Sequence, residues 1–370
     1  MMQSTESEFN QKLNKLFSFM NNYGYEALVI GRKDNFAWIS CGGNNELAIP
    51  SESGAGIIII TYEKKYLIAQ AMDIYRLRDE ELPSKELFEL ISLKWYEDSP
   101  LDRVAKLLDG KKFLCDVAVD GGMYAPGVFY NLHFPLTNFE IERYVSLGKL
   151  GERIFLKIAS EIKSGIREID VASMFAYEFM KENIKPVCYI IGSDDRIFKY
   201  RHCIASEKKI DRMVMLAPAF RKYGLTMPMT RMIYFGDKLP EEIAARYDAV
   251  CQIESATLSS CIPGAKFADI LNIQKTTYAL LGYDEEWKKH AQGGITGYLI
   301  NDPLQCLDPV AAVKVGQSFN WYITISGVKV EETALSDKEG VHLLTVNGDW
   351  PTKAYESAGK SYMLPQIMLM

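Results

Sequence analysis

The sequence contains no CxxC pair, and its seven cysteines are odd in number and scattered. That argues against a disulfide framework or a cysteine zinc site and for reduced, buried thiols. Positive charge is not in excess: 42 Lys and Arg stand against 48 Asp and Glu, for a net charge of -6. A nucleic-acid or anionic-membrane partner needs a basic face, so neither is expected. The start, MMQSTESEFN, has neither the basic opening nor the apolar run of a signal peptide. The longest apolar stretch, around Ile57 to Ile60, is far too short to span a bilayer. A cytoplasmic, soluble location is the expectation. No tandem repeat or low-complexity segment is present. What the chain does have is 370 residues at 48% hydrophobic, enough to bury full cores and to divide in two.

The first third alternates helical and strand patterns. Leu13, Phe17 and Met20 recur at helical spacing within Phe9 to Asn22, and a short apolar strand, Tyr25 to Ile30, follows. The segment Asn35 to Ser40, a Gly-Gly-Asn-Asn turn, and strands at Gly56 to Thr61, Lys65 to Ala69 and Phe113 to Val119 come next. A boundary is read near Pro135 to Asn138. Beyond it, Thr137 stands three residues before Glu140, a capping box for a long helix carrying Ile141, Val145, Ile154, Ile158 and Ile162 and ending at Gly165. A second helix over Ile169 to Met180 and a strand over Val187 to Ile191 open the second half. Helices over Glu241 to Leu258 and Phe267 to Leu281, then strands over Ser318 to Ile325 and Val328 to Thr333, complete it.

Several residues in the second half are of kinds that carry chemistry. His202, in RHCIASEKKID, can donate or accept a proton near neutral pH. Met213 to Gly236 reads as a strand pair turning at Gly224, with Thr230-Arg231 on its second strand. His290 opens a glycine-rich loop, HAQGGITGY, that ends at Tyr298, and Asn301-Asp302-Pro303 follow. Asn320 and Tyr322 lie on one late strand, Glu331-Glu332 on the next. Each alone also has a structural explanation, such as a loop cap, a tight turn or an ion pair between Glu331 and Lys329 or Arg231. In this order and spacing, the set resembles the creatinase/prolidase/aminopeptidase P (pita-bread, M24-type) family. The first third, with DNFAWISCGG after its first strand, is similar to the N-terminal domain of creatinases and aminopeptidase P enzymes.

The resemblance implies an α/β creatinase-type N-terminal domain over residues 1–135 and an α+β pita-bread domain over residues 136–370. It also marks five positions where the family carries metal ligands, and these hold Ala217, Pro228, Gly294, Tyr322 and Glu331. Paired divalent ions need charged oxygen or imidazole donors. One retained carboxylate cannot supply them, so the expectation is no bound metal and no cofactor. The candidate catalytic residues are then His202, as base and acid, and Glu331. The candidate substrate-binding residues are His290, Tyr298, Asn301, Asp302, Asn320, Tyr322 and Arg231. The leading reading is a metal-independent hydrolase of a C–N bond in a small molecule or short peptide, as in creatinase. The alternatives are a non-catalytic binder, like the peptidase-like domain of a histone chaperone subunit, and a metal-dependent Xaa-Pro aminopeptidase or dipeptidase. Related proteins are commonly dimers, and a homodimer is expected.

Overall fold

The computed structural model describes residues 2–300, 308 and 310–370. The chain divides into two units, Met1–Ile141 with Tyr223–Leu225 and Glu142–Lys222 with Thr226–Met370. The six described cysteines are all free thiols.

The first unit is built on a mixed six-stranded sheet. Its strands are β1 (Ala27–Arg32), β2 (Ser53–Thr61), β3 (Lys65–Gln70), β4 (Glu89–Leu93), β5 (Phe113–Cys115) and β6 (Met123–Tyr124), in the order β4-β3-β2-β1-β5-β6. β1 runs antiparallel to β2 and parallel to β5. Alternation places Val29, Ile57, Ile59, Ile68 and Cys115 in one core with Val104 and Leu108, the period-2 pattern of a sheet face covered by a helix. That helix, Pro100–Leu107, is started by Ser99, whose hydroxyl accepts from the Asp102 N–H at 3.1 Å. The apolar segment at Asn35 is the helix Lys33–Ile39, with Trp38 fully buried. Its run of apolar residues is too short for periodicity to separate helix from strand.

A helix spans Asn138–Glu161. Both arms of its capping box form: the Thr137 N–H donates to Glu140 Oε2 at 2.7 Å and the Glu140 N–H to Thr137 Oγ1 at 3.2 Å. After the helix Glu168–Lys181 come β7 (Lys185–Ser193), β8 (Met213–Lys222), β9 (Leu225–Pro228) and β10 (Arg231–Tyr234). β8 pairs antiparallel with β7 on one side and with β10 on the other. β8 and β9 are joined through Tyr223 and Gly224, at φ 55° and 78°; two successive positive φ values define a two-residue hairpin turn whose twist matches its strands. A second sheet joins β11 (Gly293–Thr296), β12 (Ser318–Ile325), β13 (Val328–Ser336) and β14 (Val341–Leu343) in that order. The helices Glu241–Ser260 and Phe267–Leu280 share one core with both sheets, where Met215 and Met232 meet Val250, Ile253, Trp321 and Val330. β15 (Thr352–Ser357) and β16 (Lys360–Pro365) form a final hairpin, and β17 (Met368–Leu369) adds to β10. The unit is α+β.

Candidate functional site

Register decides which side chains meet. In the β12–β13 ladder Tyr322 stands directly opposite Glu331, so the two late-strand candidates share one face and neighbour each other across it. β11 pairs with β12 so that Gly294 faces Asn320. A Cβ on the preceding residue, Gly293, would lie 2.4 Å from the Asn320 carbonyl oxygen. The glycine loop therefore has a packing reason: only a residue without a side chain lets β11 approach β12 this closely. His202 is placed by a similar contact. The Ile191 N–H donates to the Cys203 carbonyl at 2.9 Å, and a Cβ on Gly192 would strike Cys203. That holds the His202 segment flat against β7.

These elements enclose a cavity of about 120 Å³. Cys188 and Ile190 of β7, Ala217 and Ala219 of β8, and Pro228 of β9 form its apolar wall. Asn320 and Tyr322 of β12, Lys329 and Glu331 of β13, and the two imidazoles of His202 and His290 form its polar wall. Of the candidate site residues, His202, His290, Asn320, Tyr322 and Glu331 are thus brought together. Tyr298 is buried and does not border the cavity. Asn301 and Asp302 lie outside the described residues. Arg231 does not border the cavity either: it is fully buried, with Nη1 2.6 Å from Glu332 and 2.7 Å from the Thr230 carbonyl, and Nη2 2.6 Å from the Thr345 carbonyl. Both Nη atoms are used inside the protein, so Arg231 stands in a structural role in place of the substrate-binding one expected of it. A larger groove of about 480 Å³ lies between Glu339 and Met363, and none of the candidate site residues lines it.

The two histidines form a couple. Their Nε2 atoms are 3.0 Å apart, and the His290 ring stands edge-on to Tyr322 with centroids 5.1 Å apart. His290 Nδ1 lies 2.5 Å from the Ala291 carbonyl oxygen. A carbonyl can only accept, so Nδ1 carries the hydrogen and His290 Nε2 is the bare acceptor. His202 then donates its Nε2–H, which leaves the His202 Nδ1 lone pair as the base of the couple. Burial, followed by the Lys329 charge, holds His290 down to about 3 and lowers His202 in the same way, with Glu331 partly opposing. Both rings are neutral near pH 7. An Arg201–Glu286 ion pair ties the His202 segment to the one that leads to His290. Gln292 in turn binds the His290 carbonyl at 2.5 Å while accepting from Tyr278.

Glu331 is anchored from two sides. Its Oε2 accepts from Thr230 Oγ1 at 2.6 Å and from Lys329 Nζ at 2.8 Å. Lys329 is only 5% exposed and lies 5.5 Å above the Tyr322 ring. Sequence reasoning passed over Lys329 as a functional residue. The signal was the period of the strand, since Lys329 and Glu331 are two residues apart on β13 and must share a face.

The geometry agrees with comparisons to known proteins. Residues 143–308 match the model of metallopeptidase family M24. A Xaa-Pro dipeptidase of Pyrococcus horikoshii is 22% identical over 363 residues, covering 91% of this chain and 97% of that one. The crystal structure of the prolidase from Pyrococcus horikoshii OT3 superposes with a TM-score of 0.74 at 22% identity, over 90% of this chain and 98% of that one. The second half of this chain thus resembles family M24, and its fold is that of the prolidases. The same fold recurs in the N-terminal domain of FACT complex subunit SPT16 from chickpea, at a TM-score of 0.68 and 11% identity, over 92% of this chain and 96% of that one.

Four of the five positions at which the family resemblance places metal ligands, Ala217, Pro228, Tyr322 and Glu331, border one cavity; the fifth, Gly294, pairs with Asn320 on its wall. Position is retained and donor chemistry is not. Alanine, proline and glycine side chains offer no donor, and Glu331 Oε2 is already taken by Lys329 and Thr230. No group of three or more His, Cys, Asp or Glu suited to a metal occurs among the described residues. The residues present do not fit a pair of divalent ions.

Proposed function

We propose that the cavity hydrolyses a C–N bond of a small molecule or short peptide without a divalent ion, with His202 as base and acid. The observation that carries this reading is the His202–His290 couple at 3.0 Å, whose tautomers leave His202 Nδ1 as its basic nitrogen. His202 Nδ1 takes a proton from water as the hydroxyl bonds to the carbonyl carbon. The same proton passes to the nitrogen as the C–N bond breaks, so water is divided between the two products. His290 accepts from His202 Nε2–H throughout and steadies the imidazolium formed in between. General acid–base transfer of this kind contributes about 10²–10⁴-fold. This reading goes with a cytoplasmic homodimer, the usual closed state of soluble homo-oligomers.

His202→Ala should lower turnover of a responsive amide or amidine substrate by about 10²-fold or more; unchanged turnover removes His202 from the mechanism. Metal analysis of protein purified without chelators, beside a Xaa-Pro peptide assay with added manganese, tests the contrary reading of a metal-dependent Xaa-Pro dipeptidase. Near-stoichiometric metal together with peptide cleavage would establish that reading. A second reading, a binder without turnover, is favoured by the Lys329–Glu331 pair at 2.8 Å, which partly neutralises the one carboxylate left for chemistry. Saturable ligand binding with no product from any ligand would establish it.

A further inference from the structure

We infer that Lys329 is the built-in cation of this cavity and receives the carbonyl oxygen of an uncharged carboxamide or ureido group, whose N–H is met by Glu331. The inference deepens the hydrolytic reading by naming what the cavity takes, and it rests on that reading only for the fate of the bound group.

Three observations carry it. Lys329 and Glu331 lie on the same face of β13, are 5% and 6% exposed, and are paired at 2.8 Å. The pair leaves capacity on both sides. Among the described residues, Glu331 Oε2 faces both Thr230 and Lys329 while Oε1 has no partner, and Nζ has Glu331 as its one ion-pair partner; an ammonium carries three N–H groups. A donor and an acceptor therefore stand next to each other in the polar wall, which is what an H–N–C=O unit requires. Charge is the second observation. Among the described lining residues, Lys329 and Glu331 are the only charged groups beside two neutral imidazoles, so the wall carries no net charge. A charged ligand group would lose its hydration without a matching counter-charge, whereas an uncharged amide exchanges one set of hydrogen bonds for another. Glu331 is thus not a lone anion awaiting a cationic substrate. Size is the third. A cavity of about 120 Å³ is about four times the ~30 Å³ that one water occupies, room for an amide group and little more.

The placement also assigns a role in the bond change. As water adds to the carbonyl carbon, negative charge grows on the oxygen held by Nζ, and a fixed cation in a water-poor site stabilises that charge more than it does the ground state. No residue of the wall other than Lys329 supplies a full positive charge among those described.

The test uses the full chain with selectively labelled histidine and follows the ring protons of His202 and His290 by NMR while acetamide, acetate or methylammonium is added. Acetamide should shift them saturably, with a half-saturation at least tenfold below that of either ion. Lys329→Met should raise the acetamide value at least tenfold, while Lys329→Arg, which keeps charge and donors, should restore most of it. Tighter binding of acetate or methylammonium than of acetamide overturns the inference, as does acetamide binding that is unchanged in Lys329→Met. Should Lys329→Met fail to fold by circular dichroism, Lys329→Met combined with Glu331→Gln leaves no charge unpaired, and the order of the three probes on the unaltered protein decides alone. The measurement needs no turnover. Acetamide binding without hydrolysis of any amide would therefore keep the role of Lys329 and remove the hydrolase reading.

Discussion

Strand β13 carries two acid–base pairs on opposite faces, and they differ in what they leave unused. Glu332 points into the core against Arg231, and both are fully buried. There the guanidinium also donates to the carbonyls of Thr230 and Thr345, and the Thr345 hydroxyl donates to Glu332. Glu331, one residue earlier, points into the cavity against Lys329 and keeps an oxygen without a partner among the described residues. The first pair is sealed from solvent, with Arg231 Nε its one group without a partner among the described residues, and it holds β10 to β13. The second is open on the side of the cavity and can address a ligand. Adjacent residues of the same type thus serve structure and site, and only the direction of each side chain separates them.

Breaking the closed pair should have the largest effect. Glu332→Ala leaves Arg231 charged and buried with no counter-ion, which typically costs about 3–5 kcal/mol and is measured as a loss of stability in urea unfolding. Glu331→Ala, at the cavity wall, should cost clearly less. Equal losses would show that both pairs are structural and would remove the distinction. Changing Arg231→Met together with Glu332→Leu should recover most of the stability lost by Glu332→Ala, since the cost lies in the unpaired charge rather than in the loss of the pair.

A third carboxylate behind the strand sharpens the comparison. Glu254, on the helix Glu241–Ser260, is fully buried, and neither of its oxygens has a hydrogen-bond partner among the described residues. Burial, followed by the charges of Glu332 and Glu331, pushes its carboxyl well above the ordinary range. With the folded value raised, the unfolded chain ionises first as pH rises through the carboxylate range, so Glu254 favours the unfolded state increasingly from there upward. Glu254→Gln should therefore raise the melting temperature more at pH 8 than at pH 5, by an amount corresponding to about 1–3 kcal/mol, the usual cost of a buried polar group without a partner. A gain that does not change with pH would mean that Glu254 is already ionised and paired in solution.

Much of this organisation is written locally in the sequence. The Thr137–Glu140 box, the continuous apolar run of β8 and the paired late strands follow from capping, burial and period-2 patterning, and each is present in the structure. The family resemblance, not patterning, put His202, His290, Asn320, Tyr322 and Glu331 forward, and folding brings them to one cavity. Arg231 was misjudged because a buried arginine and a ligand-binding one look alike until a partner is known, and its partner lies 101 positions away at Glu332. Lys329 was named only as a structural ion-pair partner of Glu331, and its burial beside β12, at 5% exposure, is what makes it a fixed cation of the cavity. The neutral state of the two imidazoles was equally out of reach, because it depends on burial and on Lys329 together.

Thr230 gives the finest test, because it touches both pairs. Its carbonyl accepts from Arg231 Nη1 at 2.7 Å, its hydroxyl donates to Glu331 at 2.6 Å, and its N–H donates to the Glu331 carbonyl at 3.1 Å. Thr230→Val keeps the backbone bonds and nearly the shape, and removes only the hydroxyl. If the two faces of β13 are independent, the change is worth one hydrogen bond to a charged group, about 1.5–3 kcal/mol at most, and Thr230→Ser should recover most of it. Glu331 would then rest on Lys329 alone, with its freed lone pair turned to the cavity, and the cost of Glu332→Ala measured in the Thr230→Val background should be unchanged. A coupling energy above about 0.5 kcal/mol between Thr230→Val and Glu332→Ala would show that the closed pair and the open one form a single network, joined through this threonine.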